Sequence, residues 1–146
     1  MRRSVIPAAN GNFSAKGLAI MYQHFVDCYY RNDPSRSKLY TPEDVMRMYN
    51  PDGAGSNEFG LGFKKYPMRM KNGQLSIGFG HGGLGGSLAL VDLTQQVSIA
   101  VVVSKLSIIN PIATRAMVTA ICEELELGGL AEYEDSSKVR YDPDFA

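Results

Sequence analysis

Phe79-Gly80-His81-Gly82-Gly83-Leu84-Gly85-Gly86-Ser87 runs directly into Leu88-Ala89-Leu90-Val91-Asp92-Leu93 and, after Thr94-Gln95-Gln96, into Val97-Ser98-Ile99-Ala100-Val101-Val102-Val103-Ser104. On this stretch the fold turns. Two apolar, β-branched segments joined by a three-residue turn read as antiparallel neighbours, because so short a connection leaves no room for a crossover. Val97 to Val103 is apolar at nearly every position, so it is read as a central strand covered on both faces. The glycines ahead of it read in two ways. Six of them lie between Gly78 and Gly86, and without Cβ atoms they let backbone N–H groups approach a bound group closely beside His81. The same pattern also fits a tight glycine hairpin with a bulge.

Working outward, Gln74 to Gly80 and Phe59 to Tyr66 read as two further strands, with a turn at Lys71-Asn72-Gly73. Upstream, Ser14 caps a helix whose apolar face is Leu18, Met21, Tyr22, Phe25, Val26 and Tyr29. Thr41-Pro42-Glu43-Asp44 reads as an N-cap, a proline at the first helical position and acidic residues that suit the helix dipole, opening a short helix through Tyr49. Asn50 to Asn57 reads as a loop. Downstream, Asn110-Pro111 opens a last helix with the face Ile112, Ala113, Ala116, Met117, Ala120, Ile121 and Leu125, ended by Gly128-Gly129. The order helix, helix, antiparallel strands, helix defines an α+β fold, with helices packed on one or both faces of the sheet. Residues 1–130 form its single domain and the charged segment 131–146 reads as a mobile tail.

Composition narrows the function classes. Of 146 residues, 45% are hydrophobic, enough for a core, and no apolar run is long enough to span a bilayer. Fifteen basic residues balance fifteen acidic ones, so no overall field draws in nucleic acid or an anionic membrane. Cys28 and Cys122 both fall on amphipathic helical patterns, which suits buried thiols better than a disulfide framework. Met1-Arg2-Arg3-Ser4 has no apolar segment behind its charges, so no secretory signal is read here and the compartment stays open, with a weak lean to the cytoplasm.

Several familiar spacings fail on context. Gly78, Gly80 and Gly83 satisfy G-x-G-x-x-G, but a strand follows where a dinucleotide site needs a helix N-terminus, so no cofactor is expected. His24 and Cys28 stand four apart without third and fourth ligands, and no metal is expected. Gly85-Gly86-Ser87-Leu88-Ala89 falls one residue short of a nucleophile elbow and also lacks the following helix.

Three blocks taken together carry a resemblance: Pro7-Ala8-Ala9-Asn10-Gly11-Asn12-Phe13-Ser14-Ala15-Lys16-Gly17-Leu18-Ala19, then Phe59-Gly60-Leu61-Gly62-Phe63, then Phe79 to Ser87. In this order they resemble the C-terminal portion of the β-lactamase-related serine hydrolases, the class C β-lactamase and esterase relatives of the penicillin-binding-protein-like superfamily. The resemblance runs from about Pro7 to about Leu125. It implies a partial β-lactamase/transpeptidase-like fold and acyl-enzyme hydrolysis of a small ester, amide or lactam. His81-Gly82-Gly83 looks like the family's H-x-G form of the K-T-G strand motif. By resemblance, His81 faces the site and Gly83 leaves room for substrate. The backbone N–H of Leu84 becomes an oxyanion donor, and Gly82 and Gly85 flank the bound substrate.

The nucleophile is where the chain departs from the family. Ser35-Arg36-Ser37-Lys38 satisfies S-x-x-K and Tyr30-Arg31-Asn32 satisfies Y-x-N, but they stand in the wrong order, after the P-A-A-N-G block, and Ser35 lies in a charged segment. No nucleophile is therefore assigned in this chain, and alone it is expected to be inactive. The family's sheet also takes strands from its N-terminal part, so this chain is expected to expose sheet edge and apolar surface, covered by a protein partner or by self-association. The alternative expectation is a non-catalytic binding protein that uses the Gly-rich strand edge.

Overall fold

A computed structural model describes residues 11–31, 40–49, 59–104 and 112–131. The loop at Asn50 to Asn57, the Ser35 to Lys38 match, Asn110-Pro111 and the tail from Glu132 onward lie outside these residues. The first helix, α1 (Ala15–Arg31), starts where its cap predicts. Ser14 Oγ accepts from Gly17 N–H at 3.0 Å and Ser14 C=O accepts from Leu18 N–H at 3.0 Å, satisfying donors that a bare helix start would leave unpaired. The second, α2 (Pro42–Tyr49), opens on a reciprocal cap. Asp44 N–H donates to Thr41 Oγ1 at 3.1 Å while Asp44 Oδ2 accepts from Thr41 N–H at 3.0 Å. The Thr41 N–H, together with the Thr41 hydroxyl that donates to the same Asp44 Oδ2 at 3.1 Å, holds the Asp44 carboxyl below its ordinary range.

The sheet follows as β1 (Phe59–Gly60), β2 (Phe63–Arg69), β3 (Leu75–Gly82), β4 (Leu88–Asp92) and β5 (Val97–Val101), then α3 (Ile112–Glu124) and β6 (Gly129–Leu130). All pairings are antiparallel, in the order β1-β2-β3-β4-β5, with β6 also on β2. The fold is thus α+β. The stretch Phe59 to Tyr66, read as one strand, is two: Leu61 and Gly62 both take positive φ, 47° and 86°, and turn the chain back on itself. Gly129, read only as a helix stop, sits at φ 91° and leads Leu130 onto Met68.

Helices cover both faces of the sheet. On one, α1 and α2 bury Tyr22, Phe25, Val26, Val45 and Met48 against Phe79, Ala89, Val91 and Leu93. Phe25 is the hub, with ring centroids of Tyr22, Phe63 and Phe79 5.6 to 5.7 Å away. On the other, Val118 and Cys122 of α3 pack on Tyr66, Met68, Leu88, Leu90, Ile99 and Val101. Strand β4 feeds both layers, its odd residues one way and its even residues the other, as a period of two dictates. It is the strand buried at every position. Val97 to Val101, read as central, instead lies at the margin of the sheet, although α1 and α3 both pack over it.

The face of α3 also differs from its reading. Ile112, Met117 and Leu125 are exposed, and Thr114, Val118 and Cys122 point inward. Thr114 is tolerated there because its hydroxyl donates to the Gly86 carbonyl. Both cysteines are free and buried, in separate layers. Burial pushes the Cys122 thiol up, and Cys28 Sγ donates to Tyr40 C=O at 3.1 Å. Among the described residues no helix is long and apolar enough to cross a membrane.

Candidate functional site

The glycine-rich run is a hairpin. Gly83 N–H donates to Ser87 C=O at 2.7 Å and Gly86 N–H returns to Gly83 C=O at 2.9 Å. Gly86 then takes φ 99°, a conformation that only glycine adopts without strain. The β2–β3 turn repeats the device, with Met70 N–H to Gln74 C=O at 2.7 Å, Gly73 N–H to Met70 C=O at 2.9 Å and Gly73 at φ 82°. Three-residue loops with a left-handed last residue close hairpins in this way. The bulged-hairpin reading of this segment therefore describes its local structure.

The glycines divide by what surrounds them. A Cβ at Gly80 would lie 2.1 Å from Ala89 O, so this glycine serves the packing of β3 on β4. At Gly78 the nearest atom is Val91 O at 2.9 Å, to the same effect. At Gly83 the first contact is Ser87 O at 3.6 Å, an ordinary distance, so the fold does not require glycine there. A Cβ at Gly82 would meet Tyr66 OH at 3.1 Å, which brings that phenol beside the strand end.

Together these elements frame a cleft of about 260 Å³. His81, Gly82 and Gly83 form one wall and Gly86, Ser87 and Leu88 the hairpin's return. Lys64 and Tyr66 of β2, Phe59 of β1 and Thr114 of α3 complete it. Lys64 Nζ lies 5.0 Å from the Tyr66 ring centroid, a cation over an aromatic face. His81 is exposed. Leu84 and Gly85 form the tip beyond the cleft, with Leu84 75% exposed. Leu84 N–H has no acceptor among the described residues.

The structure thus gathers His81, Gly82 and Gly83 on one cleft and leaves Leu84 and Gly85 at its rim. It also assigns the hydroxyls nearby. Ser87 Oγ accepts from Val103 N–H at 3.1 Å, and a strand follows it, as its context requires. Tyr30 OH donates to Leu93 C=O at 3.0 Å, a tie between α1 and the β4–β5 turn that gives this tyrosine a structural role. Gly78, Gly80 and Gly83 lead into a turn and strand, not a helix. His24 is exposed while Cys28 is buried, and no group of three metal-ligating side chains occurs among the described residues.

Sequence reasoning missed Phe59, Lys64, Tyr66 and Thr114 as cleft residues. Alternation along β2 could have placed Lys64 and Tyr66 on one face, but only the pairing with β3, Lys64 to Gly80 and Tyr66 to Gly78, brings them beside Gly82, while His81 pairs with Ala89 and has the opposite parity.

A second concavity, of about 430 Å³, lies at the far end of the β2–β3 hairpin, where Lys71 Nζ donates to Glu126 Oε2. Near that end Asp92 is fully buried. Its carboxylate accepts from Ser76 Oγ, from Gln95 N–H at 3.1 Å and from Gln95 Nε2 at 2.9 Å. These bonds close the β4–β5 turn and satisfy the buried carboxyl oxygens.

No family model, no curated protein and no solved structure matches the chain.

Proposed function

We propose that the chain is the C-terminal part of a β-lactamase-related serine hydrolase. His81, Gly83 and the Leu84 backbone form one wall of an acyl-transfer site, and the nucleophile comes from polypeptide outside this sequence. One observation carries the reading: the hairpin presents the Leu84 N–H, without an acceptor among the described residues, at the rim of a cleft walled by His81 and by a glycine that the fold itself does not need. A fixed N–H donor is suited to a developing oxyanion, and an open backbone beside it is suited to a substrate carbonyl. His81 supplies a hydrogen bond or a charge beside the reacting group.

A second reading draws on the cleft hydroxyls. Ser87 and Thr114 are both engaged in holding the fold, so the described residues offer binding groups at the cleft without an activated serine. That favours a non-catalytic acyl, peptide or protein binder as the alternative.

The experiment is a nitrophenyl ester assay with a fluorophosphonate serine probe, first on the chain alone and then with an upstream segment carrying an S-x-x-K helix. The hydrolase reading expects no labelling and no turnover alone. With the segment added it expects activity that falls roughly 10²-fold or more in His81→Ala. Turnover by the chain alone that His81→Ala abolishes overturns the missing nucleophile. Labelling at Ser87 or Ser35 identifies an internal one.

A further inference from the structure

Asparagine is followed by glycine twice in the sequence, at Asn10-Gly11 and at Asn72-Gly73, and only the second pair lies wholly within the described residues. It forms the tip of the β2–β3 hairpin, where Lys71 to Gln74 are all exposed. Asparagine before glycine is open to attack by the backbone on its own side chain, because no Cβ shields the glycine nitrogen. The hairpin ties down each of the groups that this reaction uses. Gly73 N–H, the nucleophile, donates to Met70 C=O at 2.9 Å. Asn72 Oδ1 accepts from Gln74 N–H at 3.0 Å, and Asn72 Nδ2, the leaving group, donates to Gln74 Oε1 at 2.9 Å. We propose that Asn72 is a latent deamidation site, closed by these bonds while the hairpin is formed and opened to reaction when its tip frays.

Deprotonated Gly73 nitrogen attacks Asn72 Cγ. The N–Cγ bond forms, the Cγ–Nδ2 bond breaks, and the proton leaves with Nδ2 as ammonia. Water then opens the cyclic imide. Addition at Cγ gives aspartate, whereas addition at the main-chain carbonyl carbon gives isoaspartate, with the chain running through the side chain. Two effects of the native bonds compete. Gln74 N–H polarises the Asn72 carbonyl, which favours attack. Against this, the proton that must leave Gly73 is held by Met70 C=O, and the turn fixes Gly73 at φ 82°. Closing the ring also turns the Asn72 carboxamide away from Gln74 and onto the Gly73 nitrogen, so both of its bonds to Gln74 are given up. Three hydrogen bonds lost at roughly fivefold each leave about one molecule in a hundred competent, and one polarising donor does not offset that, so suppression wins.

The two products differ in what they do to the hairpin. Aspartate keeps Oδ1 as the acceptor for Gln74 N–H and keeps the loop length. Isoaspartate adds a methylene to the main chain of a tight loop, so the Met70 to Gly73 and Met70 to Gln74 bonds no longer close together. The loss extends to neighbouring contacts, since Arg69 Nη1 donates to Gly73 C=O at 3.1 Å and Lys71 Nζ pairs with Glu126. Deamidation thus converts a passing opening of this end of the sheet into a lasting one. The proposal is independent of the hydrolase reading, since it uses neither the cleft nor His81.

The test holds the full chain and a synthetic peptide of Arg69 to Leu75 side by side in mildly alkaline buffer. Asn72 is followed by digestion and mass spectrometry, with aspartate and isoaspartate separated by chromatography. The expected rate in the folded chain is about a hundredfold below that of the peptide, and in urea it rises to the peptide's rate. Gln74→Ala removes the Oε1 acceptor at an exposed position and raises the native rate about fivefold, with circular dichroism unchanged. The chain carrying isoaspartate at this position melts at a lower temperature than the chain carrying aspartate. A native rate less than about tenfold below that of the peptide overturns the proposal. So do a rate in urea that stays at the native value and a Gln74→Ala rate equal to the parent's. Equal melting of the two product forms overturns the lasting opening.

Discussion

Gly80→Ala and Gly83→Ala form a paired perturbation whose two halves have opposite expected outcomes. At position 80 the added Cβ would lie 2.1 Å from Ala89 O, 2.6 Å from Leu90 Cα and 2.8 Å from Leu90 Cβ, all in the neighbouring strand at the middle of the sheet. No flexible side-chain end stands there to give way, so β3 and β4 must separate. Overpacking costs about 1–3 kcal/mol, and weakening one or two ladder bonds adds about 1 kcal/mol each. A destabilisation of about 2–5 kcal/mol follows, a large part of the roughly 5–15 kcal/mol that holds such a domain together. At position 83 the first contact is at 3.6 Å and the backbone is not left-handed, so alanine should move stability by no more than about 0.5 kcal/mol. Urea unfolding reads both, followed by far-ultraviolet circular dichroism and by fluorescence of the eight tyrosines, since the chain has no tryptophan. With a slope of about 1–3 kcal/mol per molar urea, Gly80→Ala shifts the midpoint by about 2 M and Gly83→Ala leaves it in place. A Gly80→Ala midpoint within error of the parent refutes the pairing of Gly80 with Leu90. A Gly83→Ala loss above about 1 kcal/mol refutes the claim that this glycine is spare to the fold.

The other predictions concern the turn, the core and the thiols. Asp92→Ala leaves Gln95 N–H without its acceptor and Ser76 Oγ and Gln95 Nε2 with only their other partners, Met68 C=O, Ser76 Oγ and Arg69 C=O, and costs about 2 kcal/mol by thermal or urea melting; a loss below about 0.5 kcal/mol shows that the network is dispensable. Burial, and then the charge of Tyr40, raise the Tyr22 phenol from 10.0 to about 12. The stability tied to that raised value is fully present below pH 10 and is lost as pH rises towards about 12. Tyr22→Phe keeps the rings against Phe25 and Phe63 and moves alkaline unfolding upward, and an unchanged alkaline midpoint sinks this assignment. Gln96 sits at φ 54°, so Gln96→Gly relieves left-handed strain and stabilises by about 0.5–1 kcal/mol, read as a raised melting temperature. Cys28 and Cys122 are both buried, so a thiol reagent at neutral pH labels neither in the native protein and both in urea. Rapid native labelling of either contradicts the packing.

Local chemistry was legible and long-range pairing was not. Ser14 and Thr41 announce their helices because a cap is a contact between residues three apart. The strand segments from Gln74 to Val101 were readable because alternation and turn residues are local as well. The break at Leu61-Gly62 was hidden, since Phe59 to Tyr66 has strand-forming residues on both sides of it and only two consecutive positive φ angles reveal the reversal. Helix α3 misled because it carries two plausible stripes. An alanine-rich face with Ile112 and Met117 looks more apolar than one containing Thr114, until the Gly86 carbonyl satisfies that hydroxyl. At the candidate site, the glycine run and His81 could be found from sequence. The roles of the individual glycines could not, because Gly80 and Gly83 look alike until the backbone of β4 is placed against one and not the other.

The hairpin that carries His81 and Leu84 is fastened from two directions. Thr114 reaches from the first turn of α3 to the Gly86 carbonyl, and Ser87 takes the Val103 N–H just past the end of β5. A tip held by only one of these would swing like a flap, and its N–H would sweep through a range of directions. Two moorings on different elements convert that freedom into stiffness, so the tip moves only when α3 and the end of β5 shift relative to one another. The aim of the Leu84 N–H then becomes a gauge of how the outer helix sits on the sheet. A substitution in the Val118 and Cys122 packing, remote in sequence from the hairpin, would register there as a change in the direction of that one bond.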